Sequence, residues 1–93
     1  ILEAERVSGP DKLVKIQVDL GQERRQIVAG IAQHYSPEEL VGKQVIVVAN
    51  LKPATLRGEV SNGMLLAAST AKGPRELSVL TLDRPIASGS KVK

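Results

Sequence analysis

Residues 13–20, LVKIQVDL, alternate apolar and polar positions: Val14, Ile16, Val18 and Leu20 face one way, and Lys15, Gln17 and Asp19 the other. A period of two is the mark of a half-buried strand, because successive side chains of extended backbone point to opposite faces. Residues 25–29 predict another strand with Ile27 inward, and residues 21–23 make the short connection of a hairpin. Before them, residues 1–6 read as the end of a first strand. SGPD at 8–11 has the chemistry of a turn, with Lys12 at its far side.

HYSPEELVG at 34–42 then predicts a short helix. Ser36 suits the N-cap, Pro37 the first helical position, and Glu38 and Glu39 complement the positive helix start, while Gly42 ends it. Residues 45–48 and 64–68 are apolar runs that read as strands buried on both faces. The polar connection between them, with Lys52, Arg57, Ser61 and Asn62, must run over the surface. STAKGPR at 69–75 predicts a turn. Residues 77–82 alternate weakly as a last strand with Leu77, Val79 and Leu80 partly buried, and 86–93 form a tail that adds a short pairing.

Three strands, a short helix and at least two more strands make an all-β chain in the order of an OB-fold. That fold is a five-stranded Greek-key barrel with a helix between strands three and four, here with additional C-terminal strands. Its ligands use the face of strands two and three with the loops joining strands one to two and four to five. In this chain those loops carry Lys12, and Lys52 with Arg57.

The chain of 93 residues suffices for one domain, residues 1–93, and no internal repeat or interdomain linker is evident. Ile1 is not a start methionine and stands in a strand-like segment, which suggests a piece of a longer protein lacking part of its first strand. There is no cysteine, so disulfides and thiolate metal ligation are excluded, and a reducing, cytoplasmic location is the default. No apolar run reaches the roughly 20 residues of a membrane-spanning helix. Thirteen Lys and Arg against ten Asp and Glu give a net charge of +3, which suits an anionic partner without demanding one.

Enzyme chemistry finds little support. His34 is the sole histidine, with no paired acid beside it, so a capping or surface role outweighs catalysis. Glu38 and Glu39 are adjacent and point about 100° apart on a helix, too divergent to work as a pair. Gly58 and Gly63 do not form a phosphate loop. Gly58 turns the chain, and Gly63 permits either a close approach or a bulge. No catalytic residue, cofactor or metal is expected.

The basic loop is the better candidate. Lys52 precedes Pro53 and is pushed towards extended backbone, and Arg57 offers a planar fork to phosphate oxygens. Asn50 ends one apolar strand and Ser61 begins the next, so both are expected at one mouth, where Met64 can also reach a base. Short polar residues are equally turn formers, and most surface Lys and Arg, such as Lys43, Lys72, Arg75, Lys91 and Lys93, have no partner. Tyr35 is the only aromatic residue. Binding of unstructured single strands by stacking is therefore disfavoured, whereas a folded RNA read through its backbone remains compatible.

The stretch VVANLKPATLRGEVSNGMLLAA resembles the hallmark of the tRNA-binding domain appended to methionyl-tRNA synthetases and also found free-standing in bacteria. DKL at 11–13, VDLG at 18–21, IVAGI at 27–31 and PEELVGK at 37–43 extend the resemblance over nearly the whole chain. It implies an OB-fold that binds the outer corner of folded tRNA largely without regard to sequence. It implies a non-catalytic module that serves a synthetase domain in cis or trans, with homodimerisation in the full-length bacterial proteins. Family binding positions carry over to Lys12, Asn50, Lys52, Arg57, Ser61 and Met64. A protein-interaction or chaperone-like module is the alternative, since related barrels dimerise and bind polypeptide.

Overall fold

Ile16 stands directly opposite Ile27, and both are fully buried. Each such aliphatic side chain taken out of water contributes about 1.5–3 kcal/mol, so this pair anchors the first sheet. The computed structural model describes residues 1–9, 12–70 and 76–93. In it β1 (Glu3–Arg6), β2 (Val14–Asp19) and β3 (Arg24–Ala29) form an antiparallel sheet in that order. The expected alternation holds on β2: Val14, Ile16 and Val18 are buried and Asp19 is exposed. The SGPD turn falls partly on residues 10 and 11, outside the described residues. Beside it the Val7 N–H donates to the Leu13 carbonyl at 3.0 Å.

The short helix α1 (Pro37–Leu40) follows β3 as expected and drops the fully buried Leu40 into the core. Its entry is fixed by more than helix-start electrostatics. The Glu39 carboxylate accepts hydrogen bonds from the Ser36 N–H at 2.9 Å and the Ser36 hydroxyl at 3.1 Å. The Ser36 backbone bond, chiefly, holds the Glu39 carboxyl below its ordinary pKa of 4.5. After the helix, the Gly42 N–H reaches the Ile1 carbonyl at 2.9 Å and returns the chain to the first sheet.

Six short strands complete the chain: β4 (Val47–Val48), β5 (Ala54–Leu56), β6 (Glu59–Ser61), β7 (Met64–Leu65), β8 (Ala67–Ser69) and β9 (Leu77–Val79). β4 pairs with β7, β5 with β6, and β8 with β9, all antiparallel. The fold is thus all-β with one short helix. Leu65 and Val79 join β2, β3 and Leu40 in a single core.

Three expectations need correction. The apolar runs are not buried on both faces: residues 45–48 are half-buried and Leu66 and Ala67 are exposed. A strand covered twice needs a layer on each side, and the described residues supply only one core. The polar connection is not a bare loop either, because β5 and β6 form a hairpin within it. Its two-residue turn has Arg57 at φ 53° and Gly58 at φ 79°, and this pair of positive values matches the twist of paired strands. Finally, the C-terminal end is looser than expected: Leu80, just past β9, is exposed, and no strand occurs among residues 82–93. Ile86 is held instead by the Gln44 amide, which accepts from its N–H and donates to its carbonyl. The expected turn at 69–75 lies largely outside the described residues, though Thr70 and Glu76 close its base through two hydrogen bonds.

Gly63 is buried with φ 131°, and a Cβ there would stand 3.0 Å from the Val48 carbonyl oxygen. Of its two readings, close approach is the one the geometry bears out. Gly63→Ala should cost about 1–3 kcal/mol, seen as a lower denaturant midpoint at unchanged slope.

Glu39 generates a pH prediction. Because folding lowers its pKa, its contribution is present above the unfolded value of 4.5 and is lost as pH falls through the folded value. The stability gap between the wild type and Glu39→Gln should therefore be open at neutral pH and close in acid, followed by thermal unfolding across that range.

Candidate nucleic-acid interface

The chain leaves β4 at Val48, runs out through Asn50 and Lys52, turns at Arg57 and returns through Ser61 to β7. Residues 49–62 form one projecting excursion, and its position depends on how it is tied to β3. The Asn62 N–H donates to the Gln26 carbonyl at 2.8 Å. The Gln26 side-chain amide donates to the Val60 carbonyl at 2.9 Å. At its outgoing end, Arg25 Nη1 donates to the Ala49 carbonyl, while Arg25 Nε meets Glu23 at 2.7 Å.

Ser61 occupies the junction and is 3 % exposed. Its hydroxyl accepts from the Val28 N–H at 3.0 Å and donates to the Gly63 carbonyl at 2.9 Å. Both capacities of the hydroxyl are used inside the protein. Met64 is half-buried and packs against the core. These two residues frame the excursion, whereas Asn50 and Lys52 are exposed along it.

Lys12 and Arg57, from different parts of the chain, both border one cavity. Lys12 is exposed at φ 57°, and its carbonyl accepts from the Ala32 N–H at 3.0 Å. With Arg6 it lines a shallow cavity of about 290 Å³ at the β1–β2 connection. The Arg57 guanidinium packs over Gly9 of that cavity, so closely that a Cβ on Gly9 would stand 3.4 Å from Nε. Both residues have left-handed backbone, which is uncommon for residues other than Gly, Asn and Asp.

Other charges are already engaged. Lys15 lies between Glu5 at 2.8 Å and Glu59 at 3.4 Å, and the Glu5 hydrogen bond chiefly keeps its ammonium protonated above the ordinary pKa. Among the described residues, Lys12 and Lys52 make no ion pair. Tyr35, the sole aromatic side chain, accepts from the Val79 N–H at 3.0 Å and is part of the frame. Among the described residues no three His, Asp or Glu side chains gather as metal ligands.

Arg6, Arg25 and Gln26 were not singled out by sequence reasoning. For Arg25 a signal existed: it is two residues before Ile27, in the inward phase of its strand, and it pairs with the buried Val18. A charge in that phase needs polar partners, which Glu23 and Ala49 supply. Arg6 and Gln26 sit where any polar residue would be expected.

A family model described as "Putative tRNA binding domain" matches residues 1–91. The chain belongs to this tRNA-binding domain family. It is 59% identical over 92 residues to a methionine--tRNA ligase of Thermotoga maritima, covering 99% of this chain and 14% of that protein. It is 52% identical to the same enzyme of Bacillus subtilis, over 100% of this chain and 14% of the enzyme. The tRNA-binding domain thus spans about one seventh of the length of these relatives. Among solved structures, a MetRS-related protein from Pyrococcus horikoshii matches with a TM-score of 0.89 at 41% identity, covering 98% of this chain and 82% of that one. The chaperone CsaA from Bacillus anthracis matches with a TM-score of 0.85 at 25% identity, covering 99% and 83%.

Ser61→Ala should orphan the buried Val28 N–H and lower stability by about 1–3 kcal/mol, measured by denaturant unfolding.

Proposed function

We propose that this tRNA-binding domain holds the outer corner of folded tRNA through phosphate and backbone contacts and adds affinity to a methionine--tRNA ligase catalytic domain, in cis or trans. The observation that carries the reading is the family match over residues 1–91. The placement of Lys12 and Arg57 around one shallow cavity supports it. In this reading Lys12, Asn50, Lys52 and Arg57 touch the RNA, while Ser61 and Met64 shape the surface from beneath. The domain itself is a binding module, works in the cytoplasm where tRNA is charged, and forms a homodimer within the whole protein.

The chain path fits an OB-fold. β1, β2 and β3 pair in order, β6 runs beside β3, β7 pairs with β4, and the Gly42 bond leads back to Ile1. That circuit supports the strand order of a partly open five-stranded barrel, taking β6 and β7 together as one strand and β5, β8 and β9 as additions. The proposed site then lies at the loops such barrels use for ligands.

Similarity to the chaperone CsaA favours a second reading, a module that binds polypeptide. One titration separates them: folded tRNA against an unstructured RNA of equal length and an unfolded polypeptide, at several salt concentrations. The tRNA reading expects preference for the folded RNA. Polypeptide binding without tRNA binding would overturn it.

Lys52→Ala combined with Arg57→Asn should weaken binding to different tRNAs alike. Each lost phosphate contact should flatten the slope of log K against log salt by about 0.7–0.9. Asn tolerates the left-handed turn position, so the hairpin should survive the change.

A further inference from the structure

We infer that Arg25 and Gln26 are positioning residues for RNA binding, which clamp the two ends of the 49–62 excursion so that Asn50, Lys52 and Arg57 are already in place before RNA arrives. This rests on the proposed reading of the domain as a tRNA binder. Consecutive residues of β3 project to opposite faces. Arg25 is in register with Val18 and belongs to the inward phase, and Gln26 is in register with Gln17 and belongs to the outward phase. One dipeptide therefore reaches the excursion from both sides.

Arg25 holds the outgoing end, with Nη1 on the Ala49 carbonyl and Nε on Glu23. The Glu23 carboxylate holds Nε, and Nη1 reaches the residue immediately before Asn50. Gln26 holds the returning end three times over: its carbonyl accepts from Asn62 N–H, its Nε2 donates to the Val60 carbonyl, and the same Nε2 lies 3.5 Å from Glu59. The amide is itself oriented, since its Oε1 accepts from Gln17 Nε2 at 3.0 Å. Lys15 adds a fourth tie through Glu59.

The excursion draws on such ties because little of its surface is buried. Leu51, Lys52, Pro53, Ala54, Thr55 and Arg57 are all exposed, so apolar burial along it is slight. A two-stranded hairpin without a covered face is marginal in water. Polar bonds from β3 take the place of a core, and the RNA-contacting side chains inherit their positions from it.

The test uses Arg25→Lys, Arg25→Ala and Gln26→Ala, with Lys52→Ala as the comparator that removes a direct contact. Each is titrated with folded tRNA at several salt concentrations, well below its thermal midpoint. Amide hydrogen exchange of the free domain is followed in parallel. If loosening leaves the excursion in its competent arrangement a fifth to a tenth of the time, the Kd rises about five- to tenfold. The salt slope should stay that of the wild type in the Arg25 and Gln26 variants and flatten in Lys52→Ala. Exchange should speed up at 50–61 while amides of β2 and β3 around Ile16 and Ile27 remain protected.

An unchanged Kd in the folded variants would overturn the inference. A flattened slope in Arg25→Lys or Arg25→Ala would also do so, since it would make Arg25 a direct phosphate ligand. So would exchange that is unaltered, or that rises evenly over the domain, as a merely structural role predicts. Should Arg25→Ala fail to fold, Arg25→Lys keeps the charge without the planar fork and decides the point with Gln26→Ala. If the wild type does not bind tRNA, the functional reading fails by itself, and the exchange data still decide whether the clamp exists.

Discussion

The hydroxyl of Ser61 sits where two parts of the architecture meet, and much of the site depends on the bonds it makes. β3 pairs with β2 along one edge and needs partners for its backbone along the other. Asn62 N–H satisfies the Gln26 carbonyl, but the Val28 N–H is met by the Ser61 side chain rather than by a backbone carbonyl. The chain has left the regular ladder there, and Gly63 runs so close to Val48 that an added Cβ would stand 3.0 Å from its carbonyl oxygen. The hydroxyl bridges that break, bonding Val28 on one side and the Gly63 carbonyl on the other. Without it, a fully buried N–H on a core strand would lack a partner, and the hairpin would lose its seat.

Seen from this junction, the division of labour among polar residues becomes physical. Ser61, Gln26 and Arg25 spend their hydrogen bonds inside the protein and fix where the excursion goes. Lys12 and Lys52 make no ion pair among the described residues, and Lys12 lies with Arg57 around one cavity. A net charge of +3 is too small to specify a nucleic-acid partner by bulk attraction. What matters is which cations remain available: Lys15 is held between two carboxylates and Arg25 between a carboxylate and a carbonyl. Pairing therefore leaves Lys12 and Lys52, both on loops, as cations without an ion pair among the described residues.

Much of this was legible in the sequence where one physical rule dominates. The Val14, Ile16, Val18 alternation fixes β2 because a one-residue slip would expose the whole set. Ser36, Pro37 and Glu39 mark α1 because orphan backbone groups at a helix start have few chemical solutions. The β5–β6 hairpin was harder to read, since its turn is Arg-Gly rather than the Asn-Gly or Asp-Gly that announces positive φ at both positions. Ser61 looked like a loop residue because burial of a hydroxyl depends on partners 33 residues away in sequence, which no local pattern encodes. Runs 45–48 and 64–68 misled for a related reason: composition reports what can be buried, and the number of layers decides what is.

The aromatic inventory closes the argument about the kind of ligand. With one tyrosine in the chain and its hydroxyl tied to the Val79 N–H, stacking on successive bases has no row of rings to work with. The remaining tools are a few cations and short polar groups held at set positions, which suit phosphates at fixed spacing on a folded molecule. An unstructured strand must be ordered on binding and would set that entropy cost against very few contacts. In the proposed reading a preformed excursion meeting a preformed RNA avoids the cost on both sides, so that order at the β3 junction contributes to affinity alongside the charges.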